Sequence, residues 1–229
     1  MKTLFCDIGG TRIRIWGEKS PLKFMDLDTS MKVLKKYLKS RAPQKLVIGI
    51  RGVWTSKEKK VWSHLMKEVA PMVKIFSDIE LAHHLFFGEQ PGIIANAGTG
   101  SIVFGKDSNG KTFRAGGLGP FMGDEGSAFW IGREYLKVTY EKKNWLYIRK
   151  IVKNKNPIAK IASYSKMALF KAEKSNGPER QIIKQAISHL IALIHDVQKG
   201  LYKGKALPVA VQGGLFENFF FRKEFEKSF

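Results

Sequence analysis

Apolar and polar positions along this chain change period repeatedly, and each change marks a new element. Residues 3–8 (TLFCDI) read as a short buried strand, and residues 12–16 (RIRIW) alternate as a half-buried strand does. The tight turn between them holds Gly9, Gly10 and Thr11, so the pair predicts a hairpin. Helical spacing then places Met31, Leu34, Tyr37 and Leu38 on one face of residues 30–39. A short apolar run, residues 45–50 (KLVIGI), predicts a strand, and residues 56–69 carry a helical stripe of Val61, Trp62, Leu65, Met66 and Val69. Residues 72–76 (MVKIF) predict another strand. The first 90 residues therefore read β-β-α-β-α-β, an α/β layer.

Gln90-Pro91-Gly92 is a natural boundary, after which the pattern restarts. Residues 93–104 (IIANAGTGSIVF) read as two strands around a Gly-Thr-Gly-Ser turn, and Asp107-Ser108-Asn109-Gly110 is a hairpin turn. A glycine-rich passage, residues 116–126, leads into a helix from about Ser127, and residues 130–175 are Lys-rich and helical in pieces. Residues 181–199 carry the stripe of a long amphipathic helix ending before Gly200. Residues 207–212 (LPVAVQ) read as a strand running into Gly213-Gly214. Two lobes are expected, 1–90 and 91–229, each opening on strand, glycine-rich turn, strand.

Composition narrows the class. At 229 residues and 44% hydrophobic residues the chain suits a globular α/β protein. No apolar run reaches the roughly 18 residues of a membrane span, and the apolar part of the N-terminus is too short for a secretory signal, so a cytoplasmic location without membrane contact is expected. The single cysteine, Cys6, forms no internal disulfide and holds no metal cluster alone. The formal net charge of +20 favours anionic ligands such as nucleotides. Its lysines are scattered rather than gathered in a tail, which equally fits a solvated, heat-adapted surface.

Four segments carry candidate chemistry. In Asp7-Ile8-Gly9-Gly10-Thr11, glycines let backbone N–H groups approach a phosphate, Thr11 adds a hydroxyl, and Asp7 offers a hard oxygen to Mg²⁺ through water. Ala97-Gly98-Thr99-Gly100-Ser101 is a second turn of phosphate size. Gly116–Ser127 places Asp124 and Glu125 before a helix, where carboxylates can accept from hydroxyls or serve the helix N-terminus. Gly213-Gly214, followed by Asn218, lets a flat ring lie against the backbone. Asp78 follows a strand end, where ligands of open α/β sheets bind. It reads either as an acid orienting a hydroxyl in phosphoryl transfer or as a helix cap for residues 79–87.

The order DIGGT, SDIELA, AGTGS, GGLGPFMGDEGS, GGLFEN resembles the N-acetylglucosamine kinases and the wider BadF/BadG/BcrA/BcrD-type ATPases, members of the sugar kinase/heat-shock 70/actin superfamily. The resemblance covers about residues 3–220. It implies a two-lobed actin/hexokinase-like (ribonuclease H-like) fold with mixed sheets and an inter-lobe cleft, shortened at the C-terminus because only 15 residues follow Gly214. The implied reaction is phosphoryl transfer from Mg-ATP to a hydroxyl of N-acetylglucosamine, glucosamine or a related hexose, in a homodimer. Asp7, Gly9, Gly10 and Thr11 would form the first phosphate loop, with Asp7 near Mg²⁺, and Gly98, Thr99, Gly100 and Ser101 the second. Gly213 and Gly214 would flank the adenosine, and Asp78 would be the catalytic base. Arg51, Gly52, Asp78, Gly98, Thr99 and Asp124 would meet the sugar. Arg51 stands where the animal enzymes have a small residue, which implies an anionic or differently substituted acceptor.

Other readings remain. A partner-activating ATPase of the same superfamily would bridge subunits with an iron–sulfur cluster, for which Cys6 alone is a poor ligand set. A nucleic-acid binder is suggested by charge, yet no reader motif accompanies Trp145 and Tyr147 in the basic stretch 133–155. Gly105–Thr112 matches G-x-x-x-x-G-K-[ST], but a P-loop needs a helix directly afterwards, and Phe113-Arg114-Ala115-Gly116-Gly117 does not start one. His64, His83, His84, His189 and His195 show no metal spacing and read as structural.

Overall fold

The computed structural model describes residues 2–9, 12–17, 20–26, 29–140, 145–201 and 206–229. Gly10 and Thr11, both expected in the first phosphate turn, lie outside the described residues. The chain forms two compact units, Met1–Gly88 and Glu89–Phe229.

The first unit is built on a five-stranded mixed sheet. Strands β1 (Thr3–Ile8) and β2 (Arg12–Gly17) form the expected hairpin, with Asp7 opposite Arg14. Strand β3 (Ser20–Asp26) pairs antiparallel with β2 at the edge and has no counterpart in the β-β-α-β-α-β reading. Its sequence, SPLKFMD, contains a proline and no clean alternation, which an edge strand tolerates. Helix α1 (Met31–Ser40) leads to β4 (Lys45–Ile50), and α2 (Ser56–Met66) to β5 (Met72–Ser77). Both strands run parallel to β1, giving the order β3-β2-β1-β4-β5. Leu4 and Cys6 of β1, Ile13 and Ile15 of β2, and Leu34 and Leu38 of α1 pack into one core. The alternation of β1 and β2 thus sends one face inward and leaves Asp7, Arg12 and Arg14 on the other. Helix α3 (Asp78–Phe87) follows β5 directly and closes the unit.

The second unit has a four-stranded sheet in the order β8-β7-β6-β9. Strands β6 (Gly92–Ala97) and β7 (Ser101–Lys106) flank the predicted Gly-Thr-Gly turn. β7 and β8 (Thr112–Gly116) are a hairpin, with Lys106 opposite Thr112. Asp107 Oδ1 accepts from the amides of Asn109 (2.9 Å) and Lys111 (2.8 Å), so the apparent P-loop string is a β-turn as expected. Helices α4 (Ala128–Tyr140), α5 (Trp145–Val152), α6 (Pro157–Ser163) and α7 (Ser165–Lys174) occupy the Lys-rich region. Helix α8 (Pro178–Leu201) buries Ile182, Ile183, Ala186, Ile187, Leu190 and Ile194 of the predicted stripe, with Val197 and Leu201 beyond them, and runs through Gly200 rather than ending before it. Strand β9 (Val209–Gln212) pairs parallel with β6. A last helix, α9 (Phe219–Ser228), buries Phe220, Phe221 and Phe225. Three successive phenylalanines hide its period in the sequence.

Among the described residues no helix is long and apolar enough to cross a membrane.

Candidate active site

Three parallel strands of the first unit end side by side, and each delivers a polar residue there. β1 ends on Asp7-Ile8, β4 runs into Arg51, and β5 runs through Ser77 into Asp78. The Arg51 amide donates to Ile8 O at 3.0 Å, which ties the turn after β4 to the end of β1. Gly52 takes φ +81 and turns the chain away, leaving the Arg51 side chain exposed. A separate cavity of about 450 Å³ lies at the opposite end of these strands, among Lys45, Lys67, Met72 and Lys74, and carries no carboxylate.

The setting of Asp78 tests its reading as a helix cap. The helix cap is Ser77, fully buried, whose Oγ accepts from Glu80 N at 3.3 Å while Glu80 Oε2 accepts from Ser77 N at 2.7 Å. This reciprocal box satisfies the free amides at the start of α3, and Lys59 holds Glu80 in place at 2.7 Å. Asp78 is therefore the first helical residue, not the cap, and its Oδ1 accepts from Ile79 N at 3.0 Å.

Asp78 lies within reach of the charges of Asp7 and Arg51. Burial pushes the Asp78 carboxyl above the usual aspartate range, and the neighbouring charge of Asp7 pushes it the same way. The Ile79 amide and the Arg51 charge oppose that rise. Burial also raises Asp7, against an ion pair with Arg14 at 2.6 Å. Among the described residues no three His, Cys, Asp or Glu side chains are grouped to hold a metal ion. Mg²⁺ is typically held by one or two carboxylates plus nucleotide phosphates and water, and the Asp7 carboxylate fits that donor set.

The second unit gathers the other motifs at one end of its sheet, beyond the ends of β6 and β9. The turn Gly98–Gly100 is closed by a bond from Gly98 N to Gly100 O at 2.9 Å. The start of α4 braces it: Ala128 N donates to Gly98 O at 2.8 Å and Phe129 N to Thr99 O at 3.2 Å. Asp124 sits behind the turn, only 5% exposed and at φ +63, where its Oδ1 accepts from Ser101 N at 3.4 Å. A side chain on Gly100 would begin 2.7 Å from Asp124 Oδ2, so glycine is what admits the carboxylate. The Ser101 hydroxyl donates to Glu125 O at 2.7 Å, joining the turn to the acidic loop.

Gly213 has φ +102, and a side chain there would begin 2.5 Å from Ala97 O; that carbonyl instead accepts from Leu215 N at 3.0 Å. The Gly213-Gly214 turn therefore lies against the start of the Gly98–Ser101 turn, and open space stands where side chains on Gly98 and Gly214 would be. Asn218 Oδ1 caps α9 by accepting from Phe221 N at 2.9 Å.

The structure thus brings together Asp7, Gly9, Arg51, Gly52 and Asp78 in the first unit, and Gly98, Thr99, Gly100, Ser101, Asp124, Gly213 and Gly214 in the second. Arg14 was missed by motif reading. The alternation of RIRIW was its signal, since it puts Arg14 on the same sheet face as Asp7.

The sequence profile of the BadF/BadG/BcrA/BcrD ATPase family matches residues 33–229. The N-acetylmuramic acid/N-acetylglucosamine kinase of Clostridium acetobutylicum is 25% identical over 202 residues, 76% of this chain and 64% of its own length. The N-acetyl-D-glucosamine kinase of Dictyostelium discoideum is 27% identical over 202 residues, 75% of this chain and 63% of its own length. This chain thus spans less than two thirds of those relatives. A solved structure assigned as an N-acetylglucosamine kinase from Porphyromonas gingivalis matches with a TM-score of 0.72 at 16% identity, covering 99% of this chain and 89% of that one. At such identity the likeness shows the fold, which is shared with hexokinase and with actin-like filament proteins.

Proposed function

Because the chain belongs to the BadF/BadG/BcrA/BcrD ATPase family, we propose that it transfers the γ-phosphoryl group of ATP to a hydroxyl of an amino sugar, with N-acetylglucosamine or a close relative as acceptor. One observation carries this reading: the parallel strands β1, β4 and β5 end side by side, so that Asp7 at the end of β1 and Asp78 just after β5 flank the end of β4, where the charge of Asp7 raises the proton affinity of Asp78. Phosphoryl transfer asks the protein mainly for positioning and for charge neutralisation. Asp78, free of capping duty, accepts the proton of the attacking hydroxyl. Its raised proton affinity suits a base that must take up a proton. Asp7 would be the carboxylate that holds Mg²⁺, which would supply charge neutralisation for the nucleotide phosphates.

Gly9, with Gly10 and Thr11, belongs to the first phosphate turn. Gly98, Thr99 and Gly100 form the second, which Ser101 and Asp124 hold in shape from behind. Gly213 and Gly214 flank the adenosine. In the first unit, Arg51, Gly52 and Asp78 meet the acceptor. An exposed guanidinium at Arg51 favours an acceptor with an acidic substituent. The working enzyme is taken to be a cytoplasmic homodimer.

The test is ADP release from Mg-ATP against N-acetylglucosamine, N-acetylmuramic acid, glucosamine and glucose. Sugar-dependent turnover supports the kinase. Turnover without any sugar supports a partner-driving ATPase instead. Asp78→Asn is expected to lower kcat by about 10²–10⁴ with ADP affinity unchanged, and a variant with normal turnover removes the base assignment. Equal use of the neutral and acidic sugars by wild type and Arg51→Ala removes the role given to Arg51.

A further inference from the structure

Strand β2 contributes a side chain that the reaction above does not use. Arg14 stands directly across the ladder from Asp7, and its Nη1 donates to Asp7 Oδ2 at 2.6 Å. Its side chain is 45% exposed, against 17% for Asp7. The same Nη1 lies 3.7 Å from the point where a side chain on Gly9 would begin, so the first turn passes close over the ion pair. The Gly9 amide is already engaged, donating to Arg12 O at 3.3 Å. A phosphate arriving at this part of the turn therefore finds no N–H from Gly9. It finds a guanidinium, whose five donors are only partly used by Asp7 and whose planar fork suits phosphate oxygens.

We propose that Arg14 is a positioning residue with two duties: it is the resident counter-ion of Asp7, and it donates to the phosphates of the nucleotide, competing with a divalent cation for the Asp7 carboxylate. The inference rests on the nucleotide reading given above. A purely structural ion pair would leave nucleotide and cation dependence alone, so the two roles separate experimentally.

The test is equilibrium binding of ADP to the full chain by calorimetry, first in EDTA and then across a MgCl₂ titration. Arg14→Ala is expected to weaken metal-free ADP binding about tenfold or more, as loss of a charge-assisted hydrogen bond does. It is also expected to lower the Mg²⁺ concentration that gives half-maximal enhancement, because the competitor for Asp7 is gone. Arg14→Lys keeps the charge but not the fork, and should show both changes in smaller measure; it carries the test should the alanine variant not fold. Unchanged metal-free affinity, or an unchanged Mg²⁺ midpoint in the variants, overturns the proposal. A wild-type chain that binds no ADP in either condition sinks the nucleotide reading itself.

Discussion

The proposed base, Asp78, is held in a state that costs the fold stability. Its carboxyl is raised by burial first and by Asp7 second, so ionising it costs more in the folded chain than in the unfolded one. That penalty is fully present above the folded midpoint and vanishes below the unfolded one. Asp78→Asn should therefore raise the melting temperature at pH 7, on the order of 2 °C, while removing turnover; a lower melting temperature by calorimetry would contradict the electrostatic account. The same shift sets the acid limb of kcat/KM above the ordinary carboxylate range, since a protonated base is inactive. Arg51→Ala should move that limb higher still, because the arginine charge opposes the rise. Cys6 is the opposite case: fully buried, its thiol is pushed up to about 12, by burial and then by Asp7. It should resist alkylation at pH 8 in the native chain and react on denaturation, followed by mass shift. Asp7 and Asp78 were legible in the sequence because each follows an apolar strand. Arg14 was not, because nothing in a linear motif says which cross-strand neighbour a carboxylate will have.

At the scale of elements, the turn that presents Asp78 depends on its cap. Ser77, Glu80 and Lys59 form a chain of bonds at the head of α3. Ser77→Ala should cost about 1 kcal/mol and lower kcat, because the first turn of α3 carries the carboxylate; urea denaturation and initial rates together check it. The Ser-x-x-Glu spacing was in the sequence, yet Asp78 beside it offered an equally good cap, and only geometry separates them. Most elements were legible where one period ruled, as in β1, β4 and α8. β3 and α9 were missed for different reasons. β3 owes its strand conformation to pairing with β2, a tertiary effect that local propensity cannot announce. α9 has its apolar residues bunched at one end rather than spaced. Asp124 was legible as an acid in a glycine-rich loop, but its burial behind Gly100 depended on a turn 23 residues away in sequence.

For the whole molecule, charge and core pull in separate directions. A formal charge of +20 draws anions from a distance, an effect that salt screens. The KM for ATP should rise as KCl is raised from about 0.05 to 0.5 M, and a flat response would mean the charge has no part in nucleotide capture. Each unit keeps its own core, and that of the second is organised around α8. The central strand β6 has β7 on one side and β9 on the other, and β9 comes from more than a hundred residues further along the chain. During translation, at roughly 5–20 residues per second, β6 waits on the order of ten seconds for that neighbour. For that time a nascent polypeptide displays an apolar strand with one flank bare, a surface on which ribosome-associated chaperones would act.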